Sequence, residues 1–280
     1  MIKNVVIVGL GGVGAVYASK LPMAKILVTK ERFERYKSSP TVINGVIHEF
    51  NYVTECPKNP DLIIITTKFY NLSEVLEQIK PTQNTIILSL INGVSAVEII
   101  SKKFPESIVV PAYLICDSIM RKNREVIHND NNKIVMLSNK DLEEFFEENR
   151  VNFEVVEDIK TALWQKFMLN VVANQLSAVT QMTFGEMNSL PYIDKLLNNI
   201  LQEVIETAEK EGVKNPKGLA QKAVDTFHNM APYGKTSMLQ DVENGNKTEI
   251  DAFAGYIKML GKKYGIKTPY SDLFYYLLSL

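Results

Sequence analysis

The stretch WQKFMLNVVANQ, residues 164–175, sets Lys166, Asn170 and Asn174 at intervals of four in a mostly apolar run. At about 3.6 residues per turn, a step of four turns a side chain by only about 40°, so a helix would align these groups in one row over two turns. Phe167, Leu169, Val171 and Val172 would then face mostly elsewhere. An ammonium and two amides are costly to bury unpartnered, so something polar should meet the row. Lys166 is suited to give a proton to a ketone oxygen as hydride reaches the carbon, and partial burial would lower its pKa toward the working range. Asn170 and Asn174 can donate to and accept from a hydroxyl or a carboxylate. A helix-packing hydrogen-bond network would account for the same row without any ligand.

A hydride implies a nicotinamide, and VVIVGLGGVGAVYA places Gly9, Gly11 and Gly14 in G-x-G-x-x-G spacing, after an expected strand and opening a helix. In that context the first glycine permits a tight turn, the second a close approach to pyrophosphate, and the third close helix–strand packing. About twenty residues on, an acidic residue would bind the ribose of NAD; here Thr29 is followed by Lys30, with Arg32 and Arg35 near, which favours the 2′-phosphate of NADP. Glu31 intrudes, and a charged loop there would also be at home in solvent. Lys68 and Asn92 end two further expected strands, where ligands of open α/β sheets bind. Solvation of the lysine and an Asn-Gly turn explain them equally well.

Downstream, GKTSMLQDVENGNKTEIDAFAGY contributes Ser237 and Glu249. Ser237 is expected to cap a helix, and Thr248 with Asp251 to form a capping-box-like start of the next one. The helix dipole suffices to explain Glu249 in that first turn, though it could also hold Lys166 or the nicotinamide ribose, and Ser237 a substrate carboxylate. The three histidines are poor candidates: His48 and His128 fall in expected turn or hairpin segments, and His228 has no clear constellation.

These groups must be positioned by two kinds of element. KNVVIV, KILVT, DLIIITT, NTIILSLI and SIVVPAYLI are near-continuous apolar runs that suit buried parallel strands, alternating with helical segments such as NLSEVLEQI and SAVEIISKKF. EVIHNDNNKIVML reads as a hairpin, DLEEFFEENR as a short surface helix, and FEVV follows it. From about Asp158 the patterns are helical, with Gly212 and Gly265 at expected C-terminal caps. The expected class is α/β: a Rossmann-like parallel-sheet domain over 1–157, then an all-helical domain over 158–280. A net charge of −1 argues against nucleic acid or an anionic membrane as partner, and Cys56 and Cys116 make neither a disulfide framework nor a metal site, which fits a reducing cytoplasm. The helical domain could bury an apolar face against a twin, so a homodimer is open.

The chain resembles the ketopantoate reductases (2-dehydropantoate 2-reductases) over nearly its full length. The resemblance rests on GLGGVG, the strand-end TTK, the Asn-Gly pair at 92–93, WQKFMLNVVAN and SMLQDVENGNKTEID. It implies NADPH-dependent reduction of ketopantoate to D-pantoate, a step of pantothenate and coenzyme A biosynthesis. By motif position it implies Lys166 as proton donor, with Glu249 beside the nicotinamide ribose and substrate hydroxyl. Asn92, Asn170, Asn174 and Ser237 would join Lys166 as substrate ligands. Gly9, Leu10, Gly11, Gly12, Val13, Gly14, Lys30, Lys68 and Asn92 would contact NADP. Departures include Gly12 where alanine is frequent and Ile91 where glutamine is common. The segment AVYASKLPMAKI is short, and YLICDSIMRKNREVIH lacks the small-residue run common there. They touch cofactor grip and pocket shape, hence substrate identity more than reaction type. Relatives that reduce branched 2-oxoacids to D-2-hydroxyacids, sometimes with NADH, are the alternative; the intact lysine, asparagine, serine and glutamate set argues against a nucleotide-binding protein without turnover.

Overall fold

The computed structural model of the chain describes residues 1–116, 119–122, 124–129 and 131–279. It divides into two units, residues 1–92 with 96–159, and residues 93–95 with 160–280.

In chain order the first unit comprises β1 (Val5–Val8), α1 (Gly12–Lys20), β2 (Lys25–Leu27), α2 (Lys30–Ser38), β3 (Thr41–Ile43), β4 (Val46–His48), β5 (Asn51–Val53), β6 (Leu62–Ile65) and α3 (Leu72–Gln78). It continues with β7 (Ile86–Ser89), α4 (Ala96–Lys103), β8 (Ile108–Val110), β9 (Ala112–Ile115), β10 (Ile119–Lys122), β11 (Glu125–His128), β12 (Lys133–Met136), α5 (Lys140–Glu148) and β13 (Phe153–Val155). Six strands form a parallel sheet in the order β5-β2-β1-β6-β7-β8. Val5, Ile7, Leu62 and Ile64 face the cluster that includes α1 and α5, whereas Val6, Val8, Ile63 and Ile65 face α3 and α4. Both faces are covered, which is why these strands read as unbroken apolar runs. The chain leaves β1 to β2 on one side and returns to β6 on the other, so the carboxyl end of β1 lies at a topological switch point.

Several expectations need correction here. The run 107–115 is two strands: β8 ends the parallel sheet, and past Pro111 β9 pairs antiparallel with β12 in a separate sheet, β13-β12-β9. Proline has no ladder N–H, and its carbonyl instead accepts from Leu137 N at 3.0 Å. The hairpin expected over 125–137 does not form, and residue 130 of its turn lies outside the described residues. β11 pairs with β10 and β3, β12 with β9 and β13. Their burial differs accordingly: β12 is almost wholly buried, while β11 buries only Val126. A hairpin that was not anticipated joins β3 to β4 through Asn44 and Gly45, both at positive φ (47° and 79°), the primed turn that Asn-Gly favours. The charged stretch after Thr29 is not a loop but α2. DLEEFFEENR does form α5, yet its Leu142, Phe145 and Phe146 are core residues.

The second unit is helical: α6 (Ile159–Thr180), α7 (Phe184–Asn188), α8 (Ile193–Lys210), α9 (Pro216–His228), α10 (Ser237–Glu243), α11 (Ala254–Tyr264) and α12 (Pro269–Leu278). Gly212 (φ 72°) and Gly265 (φ 70°) adopt the left-handed conformation at helix ends, as their positions anticipate. EIDAFAGYIKMLGKKYG, which reads as one helix, is a 3-10 turn over Ile250–Ala252 and then α11, broken at Phe253 (φ −112°, ψ −92°). There the buried Phe253 ring stacks on Phe167, with centroids 6.1 Å apart. Among the described residues no helix is long and apolar enough to cross a membrane.

Candidate active site

The turn after β1 shows what each glycine does. A Cβ on Gly14 would lie 2.2 Å from the Gly9 carbonyl oxygen and 2.6 Å from Thr66 Oγ1, so only glycine fits. Gly9 has φ +94°, and a Cβ there would meet Thr67 Cγ2 at 2.7 Å. Gly11 is different: a Cβ would meet nothing within 4 Å, and its φ of −74° suits any residue. Neither packing nor backbone strain asks for glycine at that position, and the space a Cβ would fill is open. Gly11 is also the N-cap of α1, with no side-chain cap and no acidic residue in the first turn. The first N–H groups of α1 are therefore available to an anion. Leu10 is buried, while Gly12 and Val13 are half-buried. Thr66 Oγ1 anchors the turn, sharing its hydrogen between the carbonyls of Val8 (3.1 Å) and Gly9 (2.9 Å). The cradle fits a dinucleotide pyrophosphate.

Thr29 caps α2, accepting from Arg32 N at 3.3 Å, and leaves Lys30 exposed as the first helical residue. The helix dipole disfavours a cation there, so the local structure gives no reason for Lys30. Arg35 has one, since its guanidinium lies 5.3 Å from the centroid of Tyr36. Lys68, half-buried, follows β6 and precedes a 3-10 turn, Phe69–Asn71. Asn92, also half-buried, follows β7. The next residue, Gly93 (φ +97°), belongs to the second unit, where a Cβ on it would reach the Ala252 carbonyl oxygen at 3.2 Å.

In that unit α6 is more deeply buried than its sequence implies: Trp164, Phe167, Met168, Val171, Val172, Ala173 and Leu176 are all core residues. Along its polar row Lys166 and Asn170 are half-buried, and Asn174 is 6% exposed. Among the described residues, no hydrogen bond holds either carboxamide. A packing network therefore does not explain the two asparagines. Phe167, next to Lys166, is clamped between Trp164 (5.4 Å), Phe253 (6.1 Å) and Tyr256 (6.0 Å). The clamp fixes α6 against the segment that carries Glu249.

Glu249 is buried, but not in the first turn of an α-helix: it precedes the 3-10 turn as its N-cap, without a side-chain capping hydrogen bond. The expected capping box is absent, because its members are engaged elsewhere. Thr248 Oγ1 donates to the Leu278 carbonyl (3.3 Å), and Asp251 Oδ1 accepts from the Tyr275 hydroxyl (3.0 Å). Ser237 is exposed and is the first residue of α10, not its cap. Thr236 caps, accepting from Leu239 N at 3.1 Å. The histidines have local partners of their own. His48 stacks on Phe50, His128 Nδ1 is 2.8 Å from the Asn129 carbonyl, and His228 bridges Asn188 and Asp194 at 2.8 Å each.

Supporting hydroxyls carry no signal in the sequence: the half-buried Thr66 anchors the turn of the first unit, and the buried Ser177 and Thr236 bond each other within the second. Chemically, the first unit offers an anion cradle with a cation at the start of α2. The second offers an ammonium and two open amides in a row, beside a segment carrying a buried carboxylate.

Residues 5–140 match the family model described as ketopantoate reductase PanE/ApbA, and residues 158–280 match that for ketopantoate reductase PanE/ApbA C terminal. The chain is 29% identical over 299 residues to 2-dehydropantoate 2-reductase of Aquifex aeolicus (strain VF5), covering 97% of this chain and 94% of that one. Its fold is similar to the crystal structure of a PanE/ApbA family ketopantoate reductase from Ralstonia eutropha JMP134, with TM-score 0.86 and 22% identity over 99% of this chain and 97% of that one. It is similar also to D-mandelate dehydrogenase in a ternary structure with NADH and anilino(oxo)acetate, with TM-score 0.85, 22% identity and the same coverage.

Proposed function

The chain belongs to the ketopantoate reductase family of oxidoreductases, and from that premise we infer that it reduces 2-dehydropantoate to D-pantoate with NADPH in the cytoplasm. The observation that carries this reading is the row on α6, an ammonium followed by two asparagines whose amides no described residue engages. Residues 1–157 form the dinucleotide part and 158–280 the substrate and catalytic part. NADPH, when bound, supplies hydride to C2 of the oxoacid. The N–H groups after Gly11 take the pyrophosphate, Lys30 the 2′-phosphate, and Lys68 and Asn92 further cofactor contacts. Asn170, Asn174 and Ser237, with Asn92, hold the carboxylate and hydroxyl of the substrate. Lys166 gives its proton to the C2 oxygen, and Glu249 accepts from the ribose and the new hydroxyl. A group positioned to transfer that proton is worth about 10² to 10⁴ in rate.

A second reading keeps the chemistry and changes the substrate: a D-2-hydroxyacid dehydrogenase acting on branched 2-oxoacids, with NADH. The similarity to D-mandelate dehydrogenase in a ternary structure with NADH and anilino(oxo)acetate favours it. Rates on ketopantoate and 2-ketoisocaproate, each with NADPH and NADH, followed by reduced-nicotinamide absorbance, separate the two. We expect ketopantoate with NADPH to lead in kcat/KM by about 10² or more. A lead for 2-ketoisocaproate with NADH would replace the first reading by the second, and nucleotide binding without turnover of either acid would remove both.

A further inference from the structure

Ser177 and Thr236 lie 59 positions apart, yet their hydroxyl oxygens are 2.6 Å apart in the interior of the second unit. Ser177 has no exposed surface and Thr236 only 8%. The direction of the bonds can be assigned from the number of hydrogens. Ser177 Oγ donates to the Asn174 carbonyl at 3.1 Å, and Thr236 Oγ1 accepts from Leu239 N at 3.1 Å. Each hydroxyl has one hydrogen, and that of Ser177 is already used, so Thr236 donates to Ser177. A single chain results, from the Leu239 N–H through Thr236 and Ser177 to the carbonyl of Asn174. Bonds so aligned polarise one another, and in a dry interior a gap in the chain is costly.

The two ends of this chain are informative. One is the backbone carbonyl of Asn174, whose side-chain carboxamide no described residue engages; the other is the cap of α10, whose first residue is Ser237. The loop before Thr236 is held too. Gly185 N donates to the Pro232 carbonyl (2.7 Å), Phe184 N to that of Gly234 (3.3 Å), and a Cβ on Gly185 would meet Pro232 at 3.0 Å. We propose that Ser177 and Thr236 are positioning residues, a buried hydroxyl pair that sets Ser237 against Asn174 so that together they recognise the carboxylate end of a 2-oxoacid. The proposal rests on the reading of Asn174 and Ser237 as substrate ligands.

The test is a double-mutant cycle of Ser177→Ala and Ser237→Ala, read as KM for ketopantoate, kcat and NADPH affinity. Ser177→Ala should raise KM for the oxoacid about 10-fold, with NADPH affinity unchanged, and should add little once Ser237 is alanine. Thr236→Ser, which keeps both hydroxyls, should retain the low KM. If Ser237→Ala raises KM but the two effects multiply, the pair does not act through Ser237 and the positioning role is overturned while the ligand reading stands. If Ser237→Ala leaves KM unchanged, the ligand reading falls and takes the proposal with it. Should Ser177→Ala fail to fold, Ser177→Cys keeps the volume with a weak donor and is read in the same cycle, with the same outcomes deciding.

Discussion

At the fingerprint turn the groups open to an anion are backbone N–H groups, and Gly9, Gly11 and Gly14 shape the turn that presents them. On α6 the corresponding groups are side chains, and what points them is spread over the chain: Phe253 and Tyr256 clamp Phe167, and Thr236 reaches Ser177 across 59 positions. A ligand site made of backbone is therefore compact in sequence and intolerant of any added atom. A site made of side chains on a long helix tolerates local change and depends on distant supports.

The largest effect should come where the backbone is tightest. Gly14→Ala puts a Cβ 2.2 Å from a carbonyl oxygen, and NADPH binding measured by fluorescence titration should fall by more than about 10², with a lowered melting temperature. Asn174→Ala should raise KM for the oxoacid about 10- to 100-fold while NADPH affinity holds, as expected when a ligand's partner is removed. Gly11→Ala sharpens the contrast within the turn. The added methyl meets no protein atom, so the melting temperature should stay within about 4 °C while NADPH binds about 10-fold more weakly. Equal loss of stability at Gly11 and Gly14 would break the distinction drawn between them.

The smallest effect concerns the support of α6 at its start, where Lys160 Nζ donates to the Glu211 carbonyl. Burial alone would raise the Glu211 carboxyl, but hydrogen bonds from Tyr264 and Lys263 outweigh it and hold the group below its usual range. A lowered carboxylate stabilises the fold above its ordinary pKa and loses that contribution as pH falls through the folded value. Glu211→Gln should thus cost on the order of 0.5–1 kcal/mol near neutrality and nothing measurable in acid, as followed by urea melts across pH.

The same contrast governs how far the sequence could be read. The parallel strands and Gly9, Gly11 and Gly14 were legible because apolar runs and glycine spacing are local signals. The row Lys166, Asn170 and Asn174 was legible as geometry, since periodicity alone aligns it. What holds the row was not. Thr236 takes the cap from its neighbour Ser237, Thr248 and Asp251 leave their box for Leu278 and Tyr275, and Phe253 breaks a helix to reach Phe167. Each outcome is decided by a partner far along the chain. Pro111, by contrast, is a local signal: a proline inside an apolar run marks the end of a ladder, and the chain changes sheets there.

The proposed reaction turns on the Lys166 ammonium delivering the proton to the reduced carbonyl. Single-turnover and steady-state rates of Lys166→Ala on ketopantoate, with NADPH affinity measured on the same preparation, test it directly. The expected result is a kcat lower by about 10² or more with cofactor affinity close to unchanged. Wild-type turnover in that variant would contradict the claim.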